Sequence, residues 1–189
     1  MSLDVAIVEI LAALSVSAAA GIRISLPLLV LGLLQGENFW YNVPILSSIY
    51  PPVVLGMLIS CGSIELIASK NLLGQRLLQI LYLPLCPIVG AILAIAPTHD
   101  IPKILIGLIG GFIALLLQLI QAGWFYRWNR FSLQLSFIQD SLCILLIYLA
   151  LKAPQLGGIL ALILLGLAIY SYKGLRQWYL RQYQSRRDR

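Results

Sequence analysis

The feature that most constrains this chain is a succession of long apolar runs: Val53–Ser69, Leu77–Ala96, Ile101–Tyr126, Leu133–Leu151 and Gln155–Tyr172. At 1.5 Å per residue, about 20 residues cross a hydrocarbon core roughly 30 Å thick, so each run reads as a transmembrane helix. The boundaries carry helix-breaking residues: Pro51-Pro52, Pro97 through Pro102, Asn129-Arg130 and Lys152-Ala153-Pro154. Only 11% of the 189 residues are charged, against roughly 25% in a soluble domain, so most of the surface faces something other than water. The expected fold is all-α, a polytopic transmembrane bundle of six or seven spans. Residues 1–172 would form the membrane domain and residues 173–189 a basic tail.

The opening run is harder to place. Leu3 to Leu34 is almost entirely apolar, and as one straight helix it would be about 48 Å long, too long for the membrane. Gly21, Arg23 and Pro27 cluster in its middle, and proline removes a backbone donor and clashes with the preceding turn. The helix is therefore broken between Gly21 and Pro27. It is either one span with an unwound centre or two helices turning at Gly21–Ser25, and the hairpin is favoured. The run carries Asp4 and Glu9 and no basic start, so it reads as retained rather than as a secretory signal.

Lysine and arginine beside membrane spans collect on the cytoplasmic side. With the C-terminus inside, Lys70, Arg76, Arg127, Arg130 and the six basic residues from Lys173 to Arg189 share that side, and only Lys103 and Lys152 fall opposite. Ten against two fixes the expected orientation. It also places Glu65, Asp140 with Ser136 one turn away, Gln118 and Gln121 in the cytoplasmic halves of their helices. In the hairpin reading Arg23 lies at a similar depth.

An ionised side chain within a bilayer costs at least ~2.5–3.5 kcal/mol and by default faces a partner inside the bundle. Arg23, Glu65, Asp140, Lys70, Gln118 and Gln121 thus form a candidate intramembrane polar cluster, with Arg23 expected to pair with Glu65 or Asp140. Such a cluster either binds an ion or small anion or fixes helix register as a structural ion pair, and the second is favoured. The three cysteines, Cys61, Cys86 and Cys143, are widely spaced in apolar runs and read as buried, inert thiols. His99-Asp100 reads as an exposed turn and Glu9 as interfacial. There is no phosphate-binding glycine loop, zinc signature or nucleophile elbow, so no catalytic residue, cofactor or metal is expected. Trp124-Phe125-Tyr126 with Trp128, and Trp40-Tyr41 with Tyr50, read as interfacial aromatic belts. Trp178, Tyr179 and Tyr183 interleave with tail arginines, which suits a helix along an anionic leaflet rather than nucleic acid.

The stretch Ala19-Ala20-Gly21-Ile22-Arg23-Ile24-Ser25-Leu26-Pro27-Leu28-Leu29 resembles the opening motif, G-[LIF]-R-x-x-x-P-L, of a bacterial membrane family catalogued as domain of unknown function 4126. Glu65-Leu66-Ile67-Ala68-Ser69-Lys70 is similar to that family's E-x-x-A-D-K motif, with Ser69 in place of the acid. The resemblance covers roughly residues 5–95. It implies that Arg23, Pro27, Glu65 and Lys70 form a shared feature, and that the chain resides in a bacterial inner or internal membrane. It supplies no function, and Ser69 puts in doubt any activity that needs the missing carboxylate.

Two functional classes follow, ahead of a membrane-embedded enzyme as a third. The favoured expectation is a non-catalytic accessory or assembly partner of a larger membrane complex. The other is a small ion or solute transporter or channel using the polar cluster beside a broken helix. Gly110-Gly111 and Gly157-Gly158 read chiefly as close helix packing; in the accessory reading they and Trp124 would also offer exposed docking faces.

Overall fold

In the computed structural model, residues 3–35, 50–68, 72–98, 102–128 and 133–187 are described. Among them are seven helices and no strand: α1 (Leu3–Ile22), α2 (Ser25–Gln35), α3 (Pro51–Ala68), α4 (Leu72–Ile95), α5 (Lys103–Trp128), α6 (Leu133–Lys152) and α7 (Pro154–Arg187). Each apolar run of the sequence coincides with one helix. Three of these, over Leu77–Ile95, Lys103–Gly123 and Pro154–Ser171, are long and apolar enough to cross a membrane. The 34-residue α7 runs on past the boundary expected at residue 172, so the basic segment begins as a continuation of the last apolar helix.

Helix α1 is the axis of the bundle and packs against α4, α5, α6 and α7. Its composition explains that position. Ser15, Ser17, Ala18, Ala19 and Ala20 are completely buried, and such short side chains let four backbones approach one helix closely. The directions of the neighbours follow from residue pairs. Ser17 Oγ lies 3.3 Å from the Gly90 carbonyl and Cys86 Sγ lies 3.5 Å from that of Ala20, so α4 is antiparallel to α1. Ser15 Oγ donates to the Leu146 carbonyl at 2.8 Å, while Cys143 approaches Ala19, so α6 is antiparallel too. Ser17 and Gly21 abut Gly110 and Ala114 in turn, so α5 runs parallel.

The glycine pairs serve this packing. A Cβ on Gly110 would stand 2.6 Å from Ser17 Oγ and 2.9 Å from the Gly90 carbonyl oxygen; on Gly111 it would stand 2.7 Å from the Pro87 carbonyl. Gly157 and Gly158 abut Ser15 and Leu11 of α1. All four glycines are buried. The packing expectation holds, and the expectation that these glycines offer exposed docking faces is corrected, because the space beside each is filled by the chain's own helices. The Trp124 side chain lies outside the described residues.

The N-terminal run breaks where its sequence required. Ile22 ends α1, Arg23 and Ile24 form the bend, and Ser25 opens α2. Pro27 falls in the first turn of α2, where a missing N–H is harmless because those donors have no intrahelical acceptor. Beyond the break the chain changes neighbours: α2 packs on α3 and α6 and makes little contact with α1. Its 11 residues rise about 16 Å, roughly half the hydrocarbon thickness.

Candidate functional site

A broken helix leaves the last four carbonyls of its first half without intrahelical donors, and in an apolar surrounding these must be satisfied by other groups. At the end of α1, the Arg23 N–H donates to the Ala19 carbonyl at 3.1 Å. The thiols supply more: Cys86 of α4 reaches the Ala20 carbonyl and Cys143 of α6 reaches Ala19 at 3.6 Å. Cys86 and Cys143 are buried as expected; Cys86 also serves the Ala20 carbonyl, whereas Cys143 adds a second, longer contact to a carbonyl already bonded to the Arg23 N–H. Cys61 departs from the expectation altogether, since it is exposed on α3.

The side chain of Arg23 projects from the bend to α6, where its Nε donates to Asp140 Oδ1 at 2.8 Å. The two side chains are only 8% and 18% exposed. The pair has a local electrostatic logic, because a cation beyond the last turn of a helix meets the negative end of its dipole. Of the two carboxylates open to Arg23 in the sequence, Asp140 holds the ion pair.

Glu65 occupies the other side of the break. It is buried at 3% exposure, and its Oε2 accepts a 2.6 Å hydrogen bond from the Ser25 hydroxyl. Ser25 is the first residue of α2, so the carboxylate lies by the positive end of that half-helix. The second oxygen, Oε1, has no hydrogen-bond partner among the described residues. The buried Tyr82 hydroxyl of α4 lies within hydrogen-bonding reach of the Glu65 carboxylate, although the two are not aligned as a formed bond.

These groups converge on one cavity of about 270 Å³. Arg23, Asp140, Ser25, Glu65 and Ser63 give it polar walls, and Leu26, Leu29, Ile59 and Gly62 give it apolar ones. Ile59 and Ser63 are exposed on α3, so the cavity reaches the outer surface of the bundle beside that helix.

The structure thus brings together Arg23, Glu65 and Asp140 from the expected cluster. Gln118 and Gln121 do not belong to it. Gln118 is buried at 2% on α5 with Oε1 unpartnered among the described residues, and Gln121 is half-buried, yet neither lines the cavity. Sharing a depth along the helices is a weaker condition than facing the same gap. Lys70, Ser69, His99 and Asp100 lie outside the described residues, as do the Ser136 and Trp128 side chains. Ser25 and Ser63 were absent from the expected cluster. The signal for Ser25 was its place at the break, where a hydroxyl can follow a carboxylate into a buried setting.

The comparisons with known proteins are sparse. No curated protein matches the chain, and no solved structure does. A family model described as a domain of unknown function, DUF4126, matches residues 10–174, a range that includes Arg23, Glu65 and Asp140 and extends beyond the first half in which the motifs lie. With most of its length matched, the chain belongs to the DUF4126 family.

Proposed function

We propose that the protein is a small-solute transporter or channel whose site is the cavity at the α1–α2 break. The observation that supports this reading is the joining of three ionisable side chains and two serines around an open cavity at a helix discontinuity. A structural ion pair needs only Arg23 and Asp140; it does not call for a second carboxylate and two serines on the same cavity wall. Discontinuous helices surround substrate sites in many transporters, because unwound backbone and half-helix ends place polar groups within the membrane. The test is flux into vesicles reconstituted with the full chain, using alkali cations, alkylammonium ions, chloride and small carboxylates. Flux of at least one solute above protein-free vesicles is expected. Ile59→Trp, which fills the cavity from its exposed edge, should abolish that flux. A folded protein that passes none of these solutes refutes the transport reading.

The accessory reading retains one supporting observation. Among the described residues helix α3 packs chiefly on α2 and, more weakly, on α4, and it leaves Gly56, Ser60 and Ser63 exposed. Small residues on a lipid-facing helix suit close association with another helix. In that reading Gly56→Leu releases a protein that co-purifies in mild detergent. For location, we place the C-terminus in the cytoplasm of a bacterial cell, with the protein in its inner or an internal membrane, on the distribution of lysine and arginine. Labelling of a single cysteine in the tail by an impermeant reagent applied outside intact cells overturns this orientation.

A further inference from the structure

We infer that the cavity at the helix break binds a small organic cation, a protonated primary amine, with its head on Glu65 and its alkyl part along Leu26, Leu29 and Ile59. The inference rests on the site proposed above and assigns its ligand class. The first argument is charge. Among the described residues, the cavity wall carries one formal positive charge, on Arg23, and two formal negative charges, on Asp140 and Glu65. The ion pair at 2.8 Å joins Arg23 to Asp140, which leaves one carboxylate in excess. The N-terminus of α2 offsets only part of it, since a helix end is equivalent to roughly half a charge.

The second argument is hydrogen-bonding capacity. The Glu65 carboxylate lines this cavity, with one oxygen held by the Ser25 hydroxyl and the other buried near the Tyr82 hydroxyl. A carboxylate oxygen accepts and never donates when ionised, so a ligand drawn to this wall is one that brings donors. An ammonium group brings three donors. The Ser25 and Ser63 hydroxyls on the same wall donate to Glu65 and to the Ile59 carbonyl respectively, which leaves their oxygen lone pairs free to accept.

The third argument is shape. A bare alkali ion would leave most of the 270 Å³ unfilled. Leu26, Leu29 and Ile59 form an apolar wall that suits a short alkyl chain and gives a hydrated ion nothing. Ile59, 54% exposed, marks the edge through which the chain enters.

The test is thermal unfolding of the full-length protein in mild detergent, titrated at fixed ionic strength with n-butylammonium, n-butanol or butyrate. Butylammonium should raise the unfolding midpoint saturably, and the other two probes should not. Glu65→Gln and Ile59→Trp should each weaken the apparent affinity about tenfold or more, the change expected when a charge-assisted hydrogen bond or the volume itself is lost. If Glu65→Gln does not fold, Ile59→Trp decides alone. No shift with butylammonium, a preference for butyrate, or a shift that survives the substitutions overturns the inference. Binding of butylammonium without flux of any solute leaves this inference standing and removes the transport reading. Carboxylate flux without butylammonium binding does the reverse.

Discussion

Replacing Arg23 with alanine is the most informative perturbation of the bundle. The wild-type protein holds Arg23 Nε 2.8 Å from Asp140 Oδ1, with both side chains largely buried. Removing the guanidinium leaves the Asp140 carboxylate in a low-dielectric surrounding without its counter-charge, which costs about 3–5 kcal/mol. At about 1.4 kcal/mol per factor of ten, the folded-to-unfolded ratio should fall by roughly two to three and a half orders of magnitude. Arg23→Ala should therefore show a sharp loss of monodisperse protein in detergent and a lower unfolding midpoint. Asp140→Asn added to Arg23→Ala removes the stranded charge and should recover a large part of the loss. Glu65→Gln added instead should recover less, because the hydrogen bond that holds Glu65 comes from Ser25. The decisive quantity is the coupling energy from the two double-mutant cycles. Coupling between Arg23 and Asp140 below about 0.5 kcal/mol is the additivity expected of independent sites and would falsify the pairing.

Three further outcomes are expected. Gly110→Ala meets Ala94, Ser17 and the Gly90 carbonyl and should destabilise by about 1–3 kcal/mol; Gly56→Ala meets nothing within 4 Å and should stabilise by up to about 1 kcal/mol. Equal unfolding midpoints for these two variants would contradict the close approach of α1, α4 and α5. Cys86→Ala removes a donor to the Ala20 carbonyl and should lower stability by about 1 kcal/mol, whereas Cys86→Ser keeps a donor and should lose less; a serine variant no better than alanine shows that the thiol is packing alone. N-ethylmaleimide on the folded protein should give one adduct by intact mass, at exposed Cys61, and prompt modification of Cys86 or Cys143 refutes their burial.

The break in the first helix was legible because Gly21, Arg23 and Pro27 are each poorly suited to a helix interior and stand within seven residues. Arg23, Glu65 and Asp140 were legible for a different reason: an isolated charge in an apolar run is too costly to lack a partner. Which carboxylate takes Arg23 was not legible, because that choice depends on the rotation of α6 about its axis, and long apolar runs on all sides give no periodicity from which to read it. The same loss of periodicity made Gln118 and Gln121 seem to belong to the site. The role of Cys86 was hidden because it depends on where the Ala20 carbonyl points once the helix stops. The glycine pairs were recognised as packing residues, but a sequence of this kind does not distinguish a face that meets its own chain from one that meets another.

The Arg23–Asp140 pair spans 117 positions of the chain, and this separation has a consequence for biosynthesis. At the usual 5–20 residues per second, Asp140 is polymerised about 6 to 23 seconds after Arg23. During that interval the arginine has no native counter-ion, and α1 has none of the later helices that enclose its short side chains. With Leu, Ile or Val at nine of its 20 positions, α1 is apolar enough to enter lipid before those helices arrive. Its arginine can stay at the headgroup level by extending its aliphatic stem. The cation thus waits at the membrane surface while its helix is already in lipid, and emergence of α6 from the ribosome brings the carboxylate that draws it inward.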